Sequence, residues 1–370
     1  MAVSDVGSAA GVQIGDLEEY GGWPALLTSL LERRDLTAHE AAEAMRTILR
    51  GNATPAQLIG FVVALRAKGE TADEISGLLD AVLQFADLVP LTDEQRATAI
   101  DVVGTGGDRS HSINVSTMAA LVTAGAGVTV CKHGARAASS KCGTADVLEA
   151  LGVAIELSPA GVAECVTETG IGFCFAPRFH PAFRFAAPSR REIGVPTVFN
   201  LLGPMANPGR VRRHLLGIAD ASKAEPMVAS LAAHGSTHAW VVHGGGLDEL
   251  STTGPSQVLA LGPDGVSTFT IDAVELGLTP TTLDQLSGGD PAHNAGVVDA
   301  VLAGEHGPAR DITVLNAAAA LIVAEAAESM PEAVARAAAV IDDGRAADLL
   351  QRFRDCSQRI WSLESEGARQ

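Results

Sequence analysis

The feature that most constrains the fold is an alternation of short apolar segments with helical segments, which begins near residue 99. Such alternation is typical of strands joined by helices and therefore of an α/β fold with a mainly parallel sheet. The composition agrees with this, because 47% of the residues are hydrophobic but only 4% are aromatic. The predicted strands are 99–104, 128–131, 171–176 and 238–244, and the predicted helices are 116–127, 144–152, 315–330 and 331–353.

The stretch before this alternation predicts a bundle of about four helices between residues 23 and 86. Three of them begin with a Thr followed three residues later by an acid or amide, a pattern that caps free N–H groups at a helix start. The pairs are Thr37 with Glu40, Thr54 with Gln57, and Thr71 with Glu74. We therefore predict a flexible tail over 1–19, a helical domain over 20–96 and a larger α/β domain over 97–370.

Charge and cysteine usage exclude several classes of protein. The formal net charge of -18 argues against nucleic acid or an anionic membrane surface as the main partner. No apolar run reaches the ~18 residues of a membrane span, and the first residues do not resemble a secretory signal. Five scattered cysteines without a C-x-x-C pair favour reduced thiols over zinc or disulfides, so we expect a cytoplasmic location.

Two glycine-containing loops each follow a predicted strand and precede a helix. The first contains Gly104, Gly106 and Gly107, and the second runs from Lys132 to Gly143 through small residues. Glycines let the backbone approach an anion closely, and a helix N-terminus offers free N–H groups to phosphate. An ordinary glycine turn and a solvated basic loop are the alternatives. The position of Lys132 at the carboxyl end of a strand favours ligand binding.

Two further segments suggest an anionic ligand and a metal ion. Residues 176–191 contain four arginines, one histidine and no acid, which suits a carboxylate or phosphate, although a surface helix is the alternative. Asp248 and Glu249 follow three consecutive glycines at the end of a predicted strand, and such acids bind Mg²⁺. There is no G-x-S-x-G segment and no zinc signature. The four segments together predict substitution at a phosphorylated sugar, with largely electrostatic catalysis.

The order of these motifs resembles the anthranilate phosphoribosyltransferase family of tryptophan biosynthesis. The motifs are DVVGTGGD, NVSTMAA, KHGARAASSKCGTADVLEALG, RREIGVPTVFNLLGPMANP and GLDEL, and the resemblance runs from about residue 22 to 350. It implies a helical domain that also takes in part of about 188–206, with the active site in the cleft between the two domains. It also implies a homodimer formed through the helical domain. The implied reaction moves phosphoribose from phosphoribosyl pyrophosphate to an aromatic amine, with two Mg²⁺ ions and release of pyrophosphate.

The same resemblance assigns roles to individual residues. His133 and Arg190 are expected to orient the acceptor, Ser116, Asp248 and Glu249 to bind Mg²⁺, and no residue is expected to act covalently. The acceptor would contact Gly104, His133, Ala135 and Arg190. The phosphoribosyl donor would contact Gly104, Thr105, Gly107, Asp108, Ser112, Asn114, Ser116, Thr117, Lys132, Arg136, Ser139, Ser140 and Thr144.

The sequence departs from the family pattern near the acceptor. Ala135 stands where the family usually has Asn in K-H-G-N-R, and Arg109, Phe185 and Ser189 are also unusual there. A different aromatic acceptor is therefore the first alternative. A pyrimidine nucleoside phosphorylase and a non-catalytic relative that binds nucleic acid are the other two.

Overall fold

The structure, a computed structural model, describes residues 17–108, 110–137 and 141–367. Its centre is a seven-stranded sheet in the order β3-β2-β1-β4-β5-β6-β7. The first five strands in this order are parallel, and the last two are antiparallel. The strands are β1 Ile100–Gly104, β2 Val130–Gly134, β3 Ile171–Phe175, β4 Arg213–Gly217, β5 His238–His243, β6 Ser256–Gly262 and β7 Gly265–Ile271.

The helices lie on both faces of the sheet and in the bundle that precedes it. They are α1 Gly22–Leu31, α2 Ala38–Leu49, α3 Pro55–Lys68, α4 Ala72–Gln84, α5 Asp93–Thr98, α6 Val115–Gly125, α7 Thr144–Ala150, α8 Pro159–Thr169, α9 Ala176–Phe179, α10 Ala187–Ile193, α11 Val198–Met205, α12 Ala224–Ala233, α13 Pro291–Leu302, α14 Pro308–Val323, α15 Met330–Asp342 and α16 Arg345–Gly367. Short 3-10 turns cover Leu17–Tyr20, Pro181–Phe185, Ala221–Lys223, Val274–Leu276 and Leu283–Leu286.

The predicted helix starts at Thr37, Thr54 and Thr71 are confirmed, because each Thr forms a complete capping box. A further box, Thr92 with Gln95, begins α5. A 3-10 turn at Leu17–Tyr20 overlaps the end of the predicted tail, and Leu17 is buried within it. The rest of that tail, 1–16, lies outside the described residues.

Two hydrophobic cores hold the molecule together. One lies between the sheet and helices such as α6, α14 and α16. The other joins the helical bundle to the opposite face of the sheet, through Val103, Leu216 and Val241. Because α10 and α11 pack against α3, they extend the bundle as well. The architecture is thus a helical N-terminal bundle on a larger α/β unit with a mostly parallel sheet, as the sequence predicts. Within the described residues, no helix is both long and apolar enough to span a membrane.

Candidate active site

The candidate site lies where the loops after several parallel strands meet. The chain runs from β1 outward to β2 and β3, and then returns to add β4 on the other side of β1. Neighbouring loops diverge where the strand order reverses in this way, and ligands bind at the carboxyl ends of the strands there. The predicted site residues lie at or near these strand ends, or on α10.

The glycine loop after β1 is bound to neighbouring loops through its backbone. The N–H of Thr105 donates to the carbonyl of Gly217 at 2.9 Å, and the N–H of Gly106 donates to Oδ2 of Asp248 at 2.7 Å. Gly106 and Gly107 have φ of 63° and 79°, in the left-handed region that favours glycine. A Cβ on Gly104 would lie 2.4 Å from Oδ2 of Asp248. Only glycine therefore allows the loop this close to the acid.

Three carboxylates lie close together beside this loop. Oε1 of Glu249 accepts a 3.2 Å hydrogen bond from the N–H of Ser116, at the start of α6. Burial, and then the charge of Asp108, raises the pKa of Asp248 to about 7. Burial and the charge of Asp248 raise the pKa of Glu249 well above its usual value. Like charges that are desolvated together are unfavourable, and a bound cation would relieve this.

The described residues contain no cluster of three His, Cys, Asp or Glu side chains arranged to hold a metal ion by themselves. Mg²⁺ normally keeps several waters and takes one or two protein carboxylates together with substrate phosphates. Asp248, Glu249 and the hydroxyl of Ser116 suit such a partial set of ligands. A metal at this position would need oxygens from a ligand to complete its coordination.

Lys132 lies inside β2, one residue beyond the predicted end of that strand, and is only 2% exposed. Its Nζ donates to the carbonyl of Val102 and, at 3.2 Å, to Oγ of Ser116. Burial lowers its pKa, while the nearby charges of Asp101, Glu249 and Asp248 oppose that effect. The ammonium has three donors, so one remains for a ligand after these two contacts.

A row of rings leads from His133 to Arg190. The ring centroids of His133 and His180 are 5.1 Å apart, those of His180 and Phe183 5.3 Å, and those of Phe183 and Phe199 5.6 Å. Cζ of Arg190 lies 4.8 Å from the centroid of the Phe199 ring. Phe183 and Arg190 are the partly exposed members of this row. An aromatic ligand with a carboxylate matches that end of the row, because rings pack on rings and the guanidinium pairs with the acid.

The polar groups of this row are only partly satisfied. Nδ1 of His133 lies 3.0 Å from the carbonyl of Gly203, whereas its Nε2 is buried without a hydrogen-bond partner among the described residues. Burial lowers the pKa of His133 well below its usual value and that of His180 to about 4, so both rings are neutral at pH 7. Arg190 has no carboxylate within salt-bridge distance among the described residues. The half-buried guanidinium of Arg190 is therefore available to a ligand carboxylate.

Sequence reasoning missed the rings of His180, Phe183 and Phe199. The first two lie in the arginine-rich segment 176–191, which was interpreted from its charges and not from its rings. Phe199 lies on α11, which the sequence analysis did not identify as part of a site. The presence of three rings in the short segment Phe179–Phe183 was the available signal.

Several predicted donor contacts are engaged within the protein. Arg136 pairs with Asp146 at 3.0 Å and with Glu149 at 2.8 Å, and its exposed side chain holds the loop to α7. Oδ1 of Asn114 accepts a hydrogen bond from Nδ2 of Asn294 at 2.8 Å. Thr117 is buried, and its hydroxyl has no partner among the described residues.

The other predicted residues lie at loop ends. Asp108 accepts hydrogen bonds from the N–H and hydroxyl of Ser110, Ser112 pairs with Ser287, and Thr144 is the first residue of α7. Ala135 is exposed just beyond β2. Ser139, Ser140 and Arg109 fall outside the described residues. The roles assigned to all these residues remain predictions.

Comparison with known proteins identifies the class first. Residues 24–86 match the helical bundle domain of a glycosyl transferase family, and residues 96–347 match the α/β domain of the same family. Both domains of this glycosyl transferase family are therefore present, and they match the helical bundle and the α/β unit of the fold.

Individual relatives identify a narrower family within this class of glycosyl transferases. The chain is 51% identical over 343 residues to an anthranilate phosphoribosyltransferase from Salinispora arenicola, covering 91% of this chain and 97% of that protein. The crystal structure of anthranilate phosphoribosyltransferase from Thermus thermophilus superimposes with a TM-score of 0.84 at 40% identity, covering 90% of this chain and 99% of that one. The enzyme from Saccharomyces cerevisiae in complex with PRPP and Mg gives a TM-score of 0.83 at 28% identity, covering 91% and 98%. The chain belongs to the anthranilate phosphoribosyltransferase family.

Proposed function

We propose that this protein transfers phosphoribose from phosphoribosyl pyrophosphate to the amine of anthranilate and releases pyrophosphate, a step of tryptophan biosynthesis. The observation that carries the proposal is that two different surfaces are joined through β2. One has a glycine loop and an acid pair, linked by the 2.7 Å hydrogen bond from Gly106 to Asp248. The other is the ring row that ends at Arg190. Lys132 belongs to the first surface and His133 to the second, and they are adjacent in the chain.

The first surface suits the donor. Gly106 and Gly107, both in the left-handed region, let the loop backbone approach phosphate oxygens closely. The ammonium group of Lys132 has one donor left after its two contacts and contributes a positive charge. These groups are fixed before a ligand arrives, so they can stabilise charge that grows on pyrophosphate as its bond to the sugar loosens.

The metal is expected to be Mg²⁺, which the yeast relative binds together with PRPP. Asp248, Glu249 and Ser116 would hold it, and the bound ion would neutralise charge on the departing pyrophosphate. We further propose two ions per site, with Ser116 near one and the acid pair at the other. The nearby carboxylates support this, since burial raises the pKa values of Asp248 and Glu249 and the charge of Asp108 adds to both shifts.

The second surface suits the acceptor. An aromatic amine is neutral at pH 7, so it needs little activation by a base, and orientation dominates its reactivity. Arg190 would pair with the acceptor carboxylate, while its guanidinium stays packed on Phe199. Burial lowers the pKa of Arg190 without an acid nearby to oppose it, so a carboxylate that enters would be strongly attracted.

The helical domain is the proposed surface of a homodimer. Leu31 at the end of α1 is 76% exposed, and Val63 on α3 is 44% exposed. Helices α1 and α3 pack together, so these apolar residues belong to the same bundle. Large exposed side chains of this kind are typical of interaction surfaces when they cluster. The five cysteines are buried thiols that form no disulfide, which supports the expected cytoplasmic location.

A direct assay tests the proposed reaction. Purified protein with phosphoribosyl pyrophosphate, Mg²⁺ and anthranilate should release pyrophosphate and form the phosphoribosyl amine. A panel of other aromatic amines tests the alternative acceptor that Ala135 suggests, since its methyl group cannot offer the hydrogen bonds of an asparagine. The absence of product at high enzyme concentration would exclude anthranilate as the acceptor.

An Arg190→Gln variant tests the acceptor surface separately. It should raise KM for anthranilate at least about ten-fold, since a charge-assisted pair contributes roughly 1.5–3 kcal/mol, and leave KM for the donor within about two-fold. Arg184→Gln is the matched control, because Arg184 is a nearby exposed arginine that packs on Phe185. Equal effects of the two substitutions would contradict the assigned role of Arg190.

A further inference from the structure

The hydrogen-bonded pairing between β1 and β2 stops almost as soon as it starts. Each of β1 with β4 and β2 with β3 is paired over five successive residues. Between β1 and β2, which are both described in full, the pairing is limited to Ile100 with Val130. Beyond that pair, backbone groups of the two strands need other partners, because buried N–H and C=O groups are rarely left unpaired.

Buried side chains supply those partners. Oδ1 of Asp101 accepts a 3.1 Å hydrogen bond from the N–H of His133, and its Oδ2 accepts a 2.7 Å bond from Nδ2 of Asn207. The same Nδ2 donates to the carbonyl of Cys131 at 2.7 Å. Nζ of Lys132 donates to the carbonyl of Val102. Asp101 and Asn207 are 0% and 2% exposed, so solvent does not compete for these bonds.

These contacts join three elements. Asp101 lies on β1, and Asn207 follows the end of α11 closely. His133 and Cys131, whose backbone groups they bind, lie on β2. The end of α11 in turn holds both histidines, since the Gly203 carbonyl lies 3.0 Å from Nδ1 of His133 and the Ala206 carbonyl 2.9 Å from Nε2 of His180. Asp101 and Asn207 therefore connect the backbone beneath Lys132 with the carbonyls that orient the two rings.

We propose that Asp101 and Asn207 form a buried positioning pair, which keeps β1 and β2 apart and sets Lys132 and His133 in register for donor and acceptor respectively. This inference rests on the proposed function. Neither residue reaches a surface that a ligand would touch, so both act through their neighbours. A continuous ladder would fix β2 by backbone bonds alone and would leave the Val102 carbonyl without its bond to Lys132.

The charge state supports this arrangement. Burial raises the pKa of Asp101 to about 6, against the opposing effects of Lys132, Asn207 and the N–H of His133. The carboxylate is therefore ionised at pH 7.5, where both of its oxygens accept hydrogen bonds. An asparagine at this position would turn one of them into a donor, which would face the Nδ2 of Asn207. Two opposed donors in a buried place are unfavourable, and the structure must shift.

The test is a comparison of two variants with wild type at pH 7.5. Asp101→Asn should lower kcat/KM for both substrates at least ten-fold. Asn207→Ser removes the bonds from Nδ2 to Asp101 and to the carbonyl of Cys131. It leaves the N–H of His133 bonded to Asp101 and Nζ of Lys132 bonded to Val102, so it should raise KM for anthranilate at least five-fold and leave KM for the donor within two-fold.

Glu74→Gln is the matched control. Glu74 is also a fully buried carboxylate that accepts backbone N–H bonds, from Leu36 and Thr71, and pairs with Lys68, but it belongs to the helical bundle. This substitution should lower the thermal midpoint while leaving both KM values and kcat within two-fold. Hydrogen exchange, followed by mass spectrometry of a peptide that spans 130–137, should be faster in Asp101→Asn and unchanged in Glu74→Gln.

The possible outcomes distinguish a failure of the proposed function from a failure of the positioning pair. Wild type without transferase activity would refute the proposed function itself. If wild type is active, wild-type kinetics in Asp101→Asn would refute the positioning pair alone. Unchanged exchange over 130–137 in Asp101→Asn would also overturn it. If Asp101→Asn does not fold, the KM split in Asn207→Ser decides the question, and equal effects on both KM values would overturn the pair.

Discussion

The backbone N–H of Gly106 donates a 2.7 Å hydrogen bond to the carboxylate of Asp248, 142 residues further along the chain. This bond joins the loop after β1 to the loop after β5. It occupies Oδ2 of Asp248. The glycine loop and the acid pair therefore form one unit, and a change in either should affect the other.

Gly104→Ala is expected to disrupt this unit. The added Cβ would lie 2.4 Å from Oδ2 of Asp248, closer than side chains pack, so the glycine loop or the acid must move. A displacement of about 1 Å at a reacting site can lower activity about 100-fold, and we expect a loss of that order in kcat/KM. Steady-state kinetics with both substrates provides the measurement.

Gly296→Ala is the control for that experiment. Gly296 lies in α13, and an added Cβ there would meet no atom within 4 Å. Alanine is about 0.5–1 kcal/mol better than glycine inside a helix, so this variant should be slightly more stable and fully active. Full activity of Gly104→Ala would show that the contact between the two loops is not needed.

Asp248→Asn should change stability in opposite directions with and without metal. Burial and the Asp108 charge make the ionised carboxylate unfavourable, so without Mg²⁺ at pH 8 the neutral amide should raise the thermal midpoint. With Mg²⁺ and donor, wild type should gain about 2.7 kcal/mol at a ligand concentration about 100 times Kd, and the variant much less. Differential scanning calorimetry measures both effects.

Asp264→Asn serves for comparison, because Asp264 is exposed in the turn between β6 and β7. It should leave the Mg²⁺-dependent rise in midpoint intact. A rise in Asp248→Asn as large as that of wild type would mean that the metal binds elsewhere.

Ala135→Asn should improve the use of anthranilate. Ala135 is exposed just beyond His133, so a larger polar side chain fits there without repacking a core. One added hydrogen bond contributes about 0.5–1.5 kcal/mol, which corresponds to roughly a two- to ten-fold gain in kcat/KM for anthranilate. The measurement is an acceptor panel run on wild type and variant, with the exposed Ala150→Asn as control. An unchanged acceptor profile would count against a contact between position 135 and the acceptor.

His214 should make stability depend on pH. It is buried on β4, and burial lowers its pKa from 6.5 to about 4. As the pH falls from 6.5 to 4, the unfolded chain takes up a proton here while the folded protein does not. The free energy of unfolding is therefore fully retained above pH 6.5 and falls as the pH is lowered through this window, by about 3 kcal/mol from this residue.

His214→Gln keeps a donor for the carbonyl of Val211, 3.0 Å from Nε2 of His214, but cannot take up the proton. Denaturant unfolding at pH 7 and pH 4.5 should show a smaller loss of stability in this variant than in wild type. His306→Gln, at an exposed histidine, should follow wild type. Parallel pH curves for wild type and His214→Gln would contradict the prediction.

The local features were predictable because they depend on neighbours in the chain. The capping boxes at Thr37, Thr54 and Thr71 each need only residues three apart. Glycine loops after apolar segments, and the acid pair at Asp248 and Glu249, are equally visible in the sequence. The alternation of strands and helices was enough to predict the mostly parallel sheet.

Features that depend on distant residues were not predictable in the same way. The hairpin of β6 and β7 lacks the strong apolar signal of a central strand, since β7 is exposed along most of its length. The rings of His180, Phe183 and Phe199 form one row only because α11 packs beside the segment that carries the first two. The prediction that Arg136 contacts the donor took no account of Asp146 and Glu149, which pair with it once α7 has formed.

By itself the sequence determined the capped helices of the bundle, four of the five parallel strands, and which loops carry groups that suit an anion or a cation. These follow from short-range hydrogen bonds and from the periodicity of apolar residues. Only the tertiary structure decided that pairing between β1 and β2 ends after Ile100 and Val130 and that Asp101 and Asn207 bind the freed backbone. The physical reason is that a buried backbone group must find a partner, and which side chain reaches it depends on how the strands and α11 pack.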